Sequence, residues 1–311
     1  MKFMSLKIED YLNYRHKMGY VIKIEGYLLR KFGEYFDSYS SNNRLTTEIA
    51  IKWARLPTNA SPFYWARRLE IVRCFARYLS LSETKTEIPP LGILGPAHRR
   101  IQPHIYSSDE IKTLLEKCQT LNPKNSLRPH TYHTFFALLA CTGMRFSEAI
   151  NLQRDKVDFQ NGLLKIIETK FKKSRLLPLH TSTIQALRAY DSLRNNFCPI
   201  PDDNSFFISR FGKKLCKSTV RSTFSALRHR LNWEKHGTRY PRIYDLRHSF
   251  ACHLLLQWQK KKCLHEKLPI LSTYLGHVKL EATYWYLSGV PELFDAVGNI
   301  FENFTKGKEN E

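Results

Sequence analysis

A run of prolines and glycines divides the chain into two parts. These residues stand at positions 89, 90, 92, 95, 96 and 103. Proline fixes φ and removes a backbone donor, so no regular helix or strand can cross this stretch. A chain of 311 residues is long enough for two hydrophobic cores. We therefore predict an N-terminal domain over residues 1–86, a linker over 87–104 and a second domain from residue 105.

The N-terminal part predicts a small helical domain. Large apolar residues recur at helical spacing between Tyr27 and Phe36, and Thr46 or Thr47 is placed to cap a following helix. Ser61 and Pro62 suit the first turn of a further helix. One face of that helix is apolar: Trp65, Leu69, Val72, Phe75 and Leu79.

The C-terminal part predicts a mainly α fold with a small β-sheet, an α+β domain. Ser107 and Glu110 suit a helix start, and Gly143 suits the end of the almost wholly apolar helix 131–141. Asn161-Gly162 is a turn signal before a strand. Other elements are predicted at 111–118, 145–152, 163–168, 175–179, 183–193 and 218–231.

The charge of the chain predicts a polyanionic partner. The formal net charge is +21 at pH 7, and both parts are basic. Nucleic acid is favoured over a membrane, because there is no basic amphipathic helix, lipidation signal or long apolar run. The start of the chain lacks the apolar stretch of a signal peptide, so we expect a cytoplasmic, nucleoid-associated protein.

Several basic residues cluster where they can meet such a partner. Some lie on the helix that opens at Ser61, some in the linker and some on the loop between the two strands. The predicted contacts with nucleic acid are Arg67, Arg68, Arg73, Arg77, Arg99, Arg100, Lys172 and Lys173.

No metal or cofactor is predicted. The seven cysteines are scattered, with no CxxC, which is typical of reduced thiols. His130 and His133 can share a helical face but lack further ligands.

Three cationic residues each allow an unremarkable interpretation. Arg145 can be a surface arginine paired with Glu148, and Lys170 an exposed lysine on a hairpin loop. Arg247 lies on a helix whose apolar side contains Leu246. Taken one at a time, none of them predicts a reaction.

The stretch from His277 to Tyr286 also allows two interpretations. Tyr284, Trp285 and Tyr286 can be core aromatics after a helical turn. Alternatively, one tyrosine is a nucleophile. A phenol has an ordinary pKa of about 10, so it then needs activation by nearby positive charge and hydrogen bonds.

Together and in this order, these pieces resemble the catalytic domain of the tyrosine recombinases, the phage-integrase family that includes Xer-type recombinases and transposon integrases. The matching segments are CTGMRFSEAINL, TKFKKSRLLPL, DLRHSFACHLL and YLGHVKLEATYWYL. The resemblance covers residues 105 to about 300. The N-terminal part matches only as a small, basic, helical core-binding domain that closes a clamp on DNA.

The resemblance implies a role for each motif residue. Arg145 and Arg247 would grip the scissile phosphate, which suits the planar, always charged guanidinium. Lys170 would protonate the leaving 5′-oxygen, and His277 would hydrogen-bond a phosphate oxygen. Tyr286 would attack to form a 3′-phosphotyrosine, which conserves the phosphodiester energy, so that neither ATP nor a metal is required.

One position departs from the family pattern. Tyr244 stands three residues before Arg247, where the family usually has histidine. A phenol donates a hydrogen bond but is a poor proton shuttle near neutral pH. We interpret Tyr244 as a substitution that adjusts the activity of the site without abolishing it. His248 is interpreted as structural, and Tyr284 as the second choice of nucleophile.

Three functions follow from the resemblance. The first is a site-specific recombinase or integrase that integrates, excises or transposes a DNA element. The second is a non-cutting DNA-binding accessory protein with the same fold, favoured by Tyr244 alone. The third is a type IB topoisomerase, which the short N-terminal domain disfavours.

The implied partners are double-stranded DNA at specific sites and further copies of the chain. Four protomers on paired sites are expected, with a monomer or dimer when free, and other recombinases or accessory DNA-binding proteins can join them. The catalytic domain is expected to end at residue 289. The tail over 290–311 has an apolar helical pattern that allows docking within its own domain or on a neighbouring subunit.

Overall fold

The protein folds as two compact units, Met1–Ile101 and Gln102–Glu311. The structure is a computed structural model that describes residues 3–39, 43–98, 102–167, 174–235 and 239–288. Several predicted features lie outside the described residues: Arg99, Arg100, Lys170, Lys172, Lys173 and the tail from residue 290.

The N-terminal unit is helical, as the apolar spacing predicted. Its helices are α1 (Phe3–Lys17), α2 (Lys23–Tyr39), α3 (Thr47–Arg55) and α4 (Pro62–Leu79). Phe32, Phe36, Trp53, Val72 and Phe75 are fully buried in its core.

Local capping chemistry sets the starts of α3 and α4. The Thr46 hydroxyl accepts a hydrogen bond from the Ile49 amide at 3.3 Å, and the Ser61 hydroxyl accepts one from the Tyr64 amide at 3.4 Å. Both caps satisfy amides that have no partner within the helix. The predicted starts of these two helices are confirmed.

The predicted linker forms no helix or strand over its described residues, 87–98 and 102–104. Its first part contacts the N-terminal unit. The Glu87 amide donates to the Leu45 carbonyl at 2.9 Å, the Arg73 Nε donates to the Pro89 carbonyl at 2.8 Å, and Leu94 packs against the core.

The second unit is mainly helical with one small sheet, as predicted. Its helices are α5 (Ser108–Cys118), α6 (Leu127–Thr142), α7 (Phe146–Ile150), α8 (Thr181–Phe197), α9 (Lys217–Arg230), α10 (Asp245–Lys260), α11 (Leu264–Leu275) and α12 (Glu281–Ser288). A 3-10 turn over Arg154–Lys156 leads into the sheet.

The sheet has three antiparallel strands in the order β1 (Val157–Asp158), β2 (Leu163–Ile166) and β3 (Arg175–Pro178). Leu164 pairs with Leu177 in the register of β2 and β3, and both side chains are buried. Strands β2 and β3 were predicted. The two-residue strand β1 was not, because two residues are too few for an alternating pattern.

Helix α6 is the centre of the second unit. It packs against α5, α8 and α10, and Phe135, Phe136 and Leu139 are buried on it. This confirms the predicted core helix, although α6 begins earlier than residue 131. Helices α10, α11 and α12 form a further apolar cluster. This packing anchors Tyr286 and the turn formed by Gly276 and His277 (the histidine turn).

Gly143 ends α6 in the left-handed conformation, with φ of 59°. A Cβ at this position would lie only 2.9 Å from Cγ of Phe250. We expect Gly143→Ala to lower the free energy of unfolding by about 2 kcal/mol or more, since backbone strain and a steric clash combine. Thermal melting checks this. The control is Gly19→Ala, where φ is 82° but a Cβ meets nothing within 4 Å; an equal loss at both sites would contradict the prediction.

Within the described residues, no helix is long and apolar enough to cross a membrane. The same part of the chain contains no group of three or more histidine, cysteine or acidic side chains arranged to hold a metal ion.

Candidate active site

Arg145 is held by three hydrogen bonds at the start of α7. Its amide donates to Oε2 of Glu148 at 2.8 Å, and its Nη1 donates to Oε1 of the same carboxylate at 2.8 Å. Its Nη2 donates to the Gly276 carbonyl at 2.7 Å. The pairing with Glu148 that the sequence suggested is therefore present. The guanidinium also reaches across the domain to the histidine turn.

Glu148 is a buried carboxylate shared by two arginines. Arg175, at the start of β3, donates from Nη1 to Oε1 at 3.0 Å and from Nη2 to Oε2 at 2.8 Å. Burial alone would raise the pKa of Glu148, but hydrogen bonds and charge from Arg175 and Arg145 outweigh it, so the pKa is lowered. The carboxylate stays ionised and fixes both guanidinium planes.

Arg247 lies on α10 and faces the same place. Its Nη1 donates to the Gly143 carbonyl at 2.8 Å, and its Nη2 donates to the Leu275 carbonyl at 2.8 Å and to Nε2 of His277 at 3.1 Å. Burial lowers the pKa of Arg247, and the charge interaction with the neighbouring Tyr286 opposes this. Arginine remains charged even so.

His277 follows Gly276, which ends α11 with φ of 69°. Arginine can only donate, so Nε2 of His277 accepts from Arg247 and carries no proton. Its Nδ1–H then donates to Oγ1 of the buried Thr283, 2.7 Å away. Burial and the charges of Arg247 and Arg145 lower the pKa of His277 to about 4. The imidazole is therefore neutral at pH 7.

Tyr286 lies on α12 beside this histidine. Its side chain is only 4% exposed, and its ring stacks on the His277 ring with 5.9 Å between centroids. Tyr284 is 47% exposed. The geometry favours Tyr286 as the nucleophile, because it alone of the two tyrosines has the described contacts with Arg247 and His277.

Tyr244 lies at the edge of the site, directly before α10. It is 45% exposed, and its ring packs edge-on against Phe146, the residue after Arg145, at 5.7 Å. Nη2 of Arg221 donates to its hydroxyl at 3.4 Å. A solvent-facing phenol at this position is available to donate a hydrogen bond to a ligand.

His248 packs between aromatic rings. Its centroid lies 5.0 Å from Trp285 and 5.4 Å from Tyr286. Its Nδ1 is buried with no hydrogen-bond partner among the described residues. Burial lowers the pKa of His248 to about 4, although Asp245 opposes this. The contacts suit a packing role, as the sequence suggested.

The two histidines predict a stability loss in acid. Their folded pKa values are about 4, against about 6.5 in an unfolded chain. The unfolded chain therefore binds more protons between these values, and the free energy of unfolding falls as pH drops from 6.5 to 4. We expect His248→Gln to remove part of this fall in melting temperature, whereas His229→Gln on the surface leaves it intact. The same pH profile in both variants would contradict this origin.

The predicted nucleic-acid contacts on α4 differ in their surroundings. Arg77 is exposed, Arg67 pairs with Glu25 at 3.3 Å, and Arg73 donates to Pro89. Arg68 requires a correction. It is only 8% exposed, its guanidinium lies 3.8 Å from the centroid of the Trp53 ring, and its Nη2 donates to the Trp53 carbonyl at 2.8 Å. Burial under an aromatic ring removes it from the predicted contacts.

The sequence missed two parts of this site. Arg175 was assigned only to a strand, and no local signal shows that it reaches Glu148 and the Tyr274 carbonyl, which accepts from its Nε at 2.9 Å. Thr283 was overlooked as the partner of His277. Glu148 had a signal, since it lies three residues after Arg145 at a helix start.

Two fixed guanidiniums beside a neutral imidazole and a buried phenol suit phosphoryl transfer to tyrosine. Such a reaction needs hydrogen-bond donors that are already in place for the charge that develops on the phosphate. A helical domain with this arrangement defines the class of enzymes that break and rejoin DNA through a tyrosine.

Comparison with known proteins identifies the family. The phage integrase family matches residues 105–290. Putative integrase/recombinase y4rB of Sinorhizobium fredii is 38% identical over 295 residues, which span 92% of this chain and 93% of that protein. Tyrosine recombinase XerC of Pseudomonas savastanoi is 30% identical over 221 residues, 71% of this chain and 68% of that protein.

Solved structures share the fold at lower identity. The Tn1549 transposon integrase in complex with transposon right end DNA has a TM-score of 0.70 and is 15% identical, covering 98% of this chain and 100% of that one. The XerH site-specific recombinase bound to difH has a TM-score of 0.66 at 18% identity, covering 89% and 79%. The chain belongs to the phage integrase family and is a tyrosine-type site-specific DNA recombinase.

Proposed function

We propose that the chain cuts DNA with Tyr286 as nucleophile and with Arg145 and Arg247 as the groups that hold the scissile phosphate. His277 joins them as a donor once bound DNA displaces its contact with Arg247 and its proton moves to Nε2. The convergence of these side chains from α7, α10, the histidine turn and α12 carries the proposal. The Tyr286 hydroxyl gives up its proton to solvent, and its oxygen forms a bond to phosphorus as the bond to the 5′-oxygen breaks. Lys170 supplies the proton that the 5′-oxygen takes up, and a free 5′-hydroxyl later reverses the step.

The anchoring of the arginines supports this assignment. Backbone carbonyls of Gly276, Gly143 and Leu275 accept from the two guanidiniums and fix their planes. Each guanidinium has five N–H groups, so donors remain for phosphate oxygens. Charges fixed before the reaction stabilise the transition state without further reorganisation.

The DNA partner is proposed from charge and from relatives. A net charge of +21 suits a phosphate backbone, and binding should weaken steeply with salt. The Tn1549 integrase and XerH were solved with DNA. We propose duplex DNA at specific sites as the substrate, with contacts from Arg67, Arg73, Arg77, Arg99, Arg100, Lys172 and Lys173.

We further propose that four copies act on two paired sites within the nucleoid. Recombination of two duplexes cuts four strands, and each active site here contains one Tyr286. A tail passed from each protomer to the next would close a cyclic assembly. A tail that packs on its own domain remains the alternative.

The test is a covalent adduct. The full chain is incubated with duplexes that carry the DNA flanking its gene, each nicked so that a cut strand fragment diffuses away. Denaturing electrophoresis then detects protein joined to a 3′ DNA end. Specific binding without any adduct would instead support the non-cutting accessory protein.

A further inference from the structure

Arg175 is a largely buried arginine whose described side-chain hydrogen bonds go to Glu148 and to the Tyr274 carbonyl, beside the proposed active site. Its side chain is 11% exposed. Two of its nitrogens meet the two oxygens of Glu148, and its Nε donates to the Tyr274 carbonyl at 2.9 Å. A bidentate pair of this kind fixes the plane and the direction of both groups.

The contacts of Arg175 join three separate segments. Its backbone belongs to β3, its carboxylate partner belongs to α7, and its carbonyl partner lies in the last turn of α11. Its guanidinium also lies against the Gly276 turn, where a Cβ would be 3.0 Å from Nη1. Arg175 therefore links strand β3 to the start of α7 and to the histidine turn, the two segments that contain Arg145 and His277.

Both acceptors of the Arg145 guanidinium are supported by Arg175. Nη1 of Arg145 donates to Glu148, whose two oxygens also receive Arg175. Nη2 of Arg145 donates to the Gly276 carbonyl, in the turn against which Arg175 packs. A change at Arg175 therefore releases both ends of the Arg145 guanidinium at once.

We propose that Arg175 is a positioning residue that sets the Arg145 guanidinium, and with it the histidine turn, for the scissile phosphate. The inference rests on the proposed function, because it assigns Arg145 to the phosphate. Arg175 itself acts through Glu148 and the turn and does not touch the substrate. Lysine cannot replace it, because an ammonium is a point charge without the planar fork.

A double-mutant cycle separates positioning from a merely structural role. The variants are Arg175→Gln, Arg175→Lys and each of these combined with Arg145→Ala. The control is Arg194→Gln, which removes a fully buried arginine whose described hydrogen bonds, to Asn195 and to the Ser205 carbonyl, involve no residue of the site. Each protein is measured for DNA affinity, melting temperature and the rate of adduct formation at saturating protein.

We expect both Arg175 variants to form the adduct about 10- to 100-fold more slowly, with affinity for DNA nearly unchanged, since a small misplacement of a catalytic group has effects of this size. In the Arg145→Ala background, the same changes should slow the reaction by no more than about twofold, because residues that act as a unit are not additive. Their effect on melting temperature should be the same in both backgrounds.

Equal slowing in both backgrounds, or slowing no greater than in Arg194→Gln, would overturn the inference while leaving the function intact. If Arg175→Gln does not fold, the charged Arg175→Lys variant decides by the same two criteria. If the unsubstituted chain forms no adduct on DNA that it binds, the proposed function and this inference fail together.

Discussion

Tyr286→Phe should abolish the covalent protein–DNA adduct while DNA affinity stays nearly unchanged. The change removes only the hydroxyl, so the ring keeps its stacking on His277 and its place in the apolar cluster of α10 to α12. Without the oxygen no bond to phosphorus can form, and no neighbouring group replaces a missing nucleophile efficiently. Denaturing electrophoresis after incubation with nicked duplex measures the result.

The matched control is Tyr284→Phe, which removes a hydroxyl two residues away on the same helix. Its exposed ring has no described contact with Arg247 or His277, so adduct formation should be close to normal. If adducts persist in Tyr286→Phe and disappear in Tyr284→Phe, the nucleophile is Tyr284 and not Tyr286.

Arg247→Ala should slow DNA cleavage by about 10²-fold or more, as expected when one preorganised charge is removed from a transition state. The same change leaves the Gly143 and Leu275 carbonyls without their donor, and each such loss can destabilise the fold by about 1–3 kcal/mol. Stability must therefore be measured beside the rate.

Arg247→Lys separates the two effects. It retains a cation but loses the fork that meets Gly143 and Leu275 together, so we expect a folded protein that still cleaves far more slowly than normal. Arg188→Ala, which removes an exposed arginine that donates to the Phe159 carbonyl, serves as the control and should cleave normally. Normal single-turnover cleavage by a folded Arg247→Lys would remove Arg247 from the site.

The contacts of His277 fix its protonation state. Because Arg247 donates to Nε2 of His277, the imidazole is held neutral, with its proton on the Thr283 side. A phosphate oxygen that takes the place of Nε2 would receive the arginine's hydrogen bond. In this structure the Arg247 guanidinium is therefore already hydrogen-bonded to His277.

Local patterns in the sequence were enough to predict most helices and the order of the motifs. Thr46, Ser61 and Ser107 cap helices through atoms no more than three residues away, so the information is contained in a few neighbouring letters. The positive charge is likewise a sum over residues that requires no fold. The four motifs, with their spacing, were sufficient to recognise the family.

Only the tertiary structure decided which of these residues meet. Arg145 and the Gly276 carbonyl are 131 residues apart, and Arg175 and Glu148 are 27 apart, on elements that no local pattern brings together. Arg68 shows the same limit in reverse, since it stands beside Arg67 on a helix rich in arginine, but Trp53 on another helix covers it. Capping is decided within one helical turn, whereas burial and pairing depend on how whole elements pack. The sequence by itself therefore determined the family and the motif residues, and packing determined the buried network that orients them.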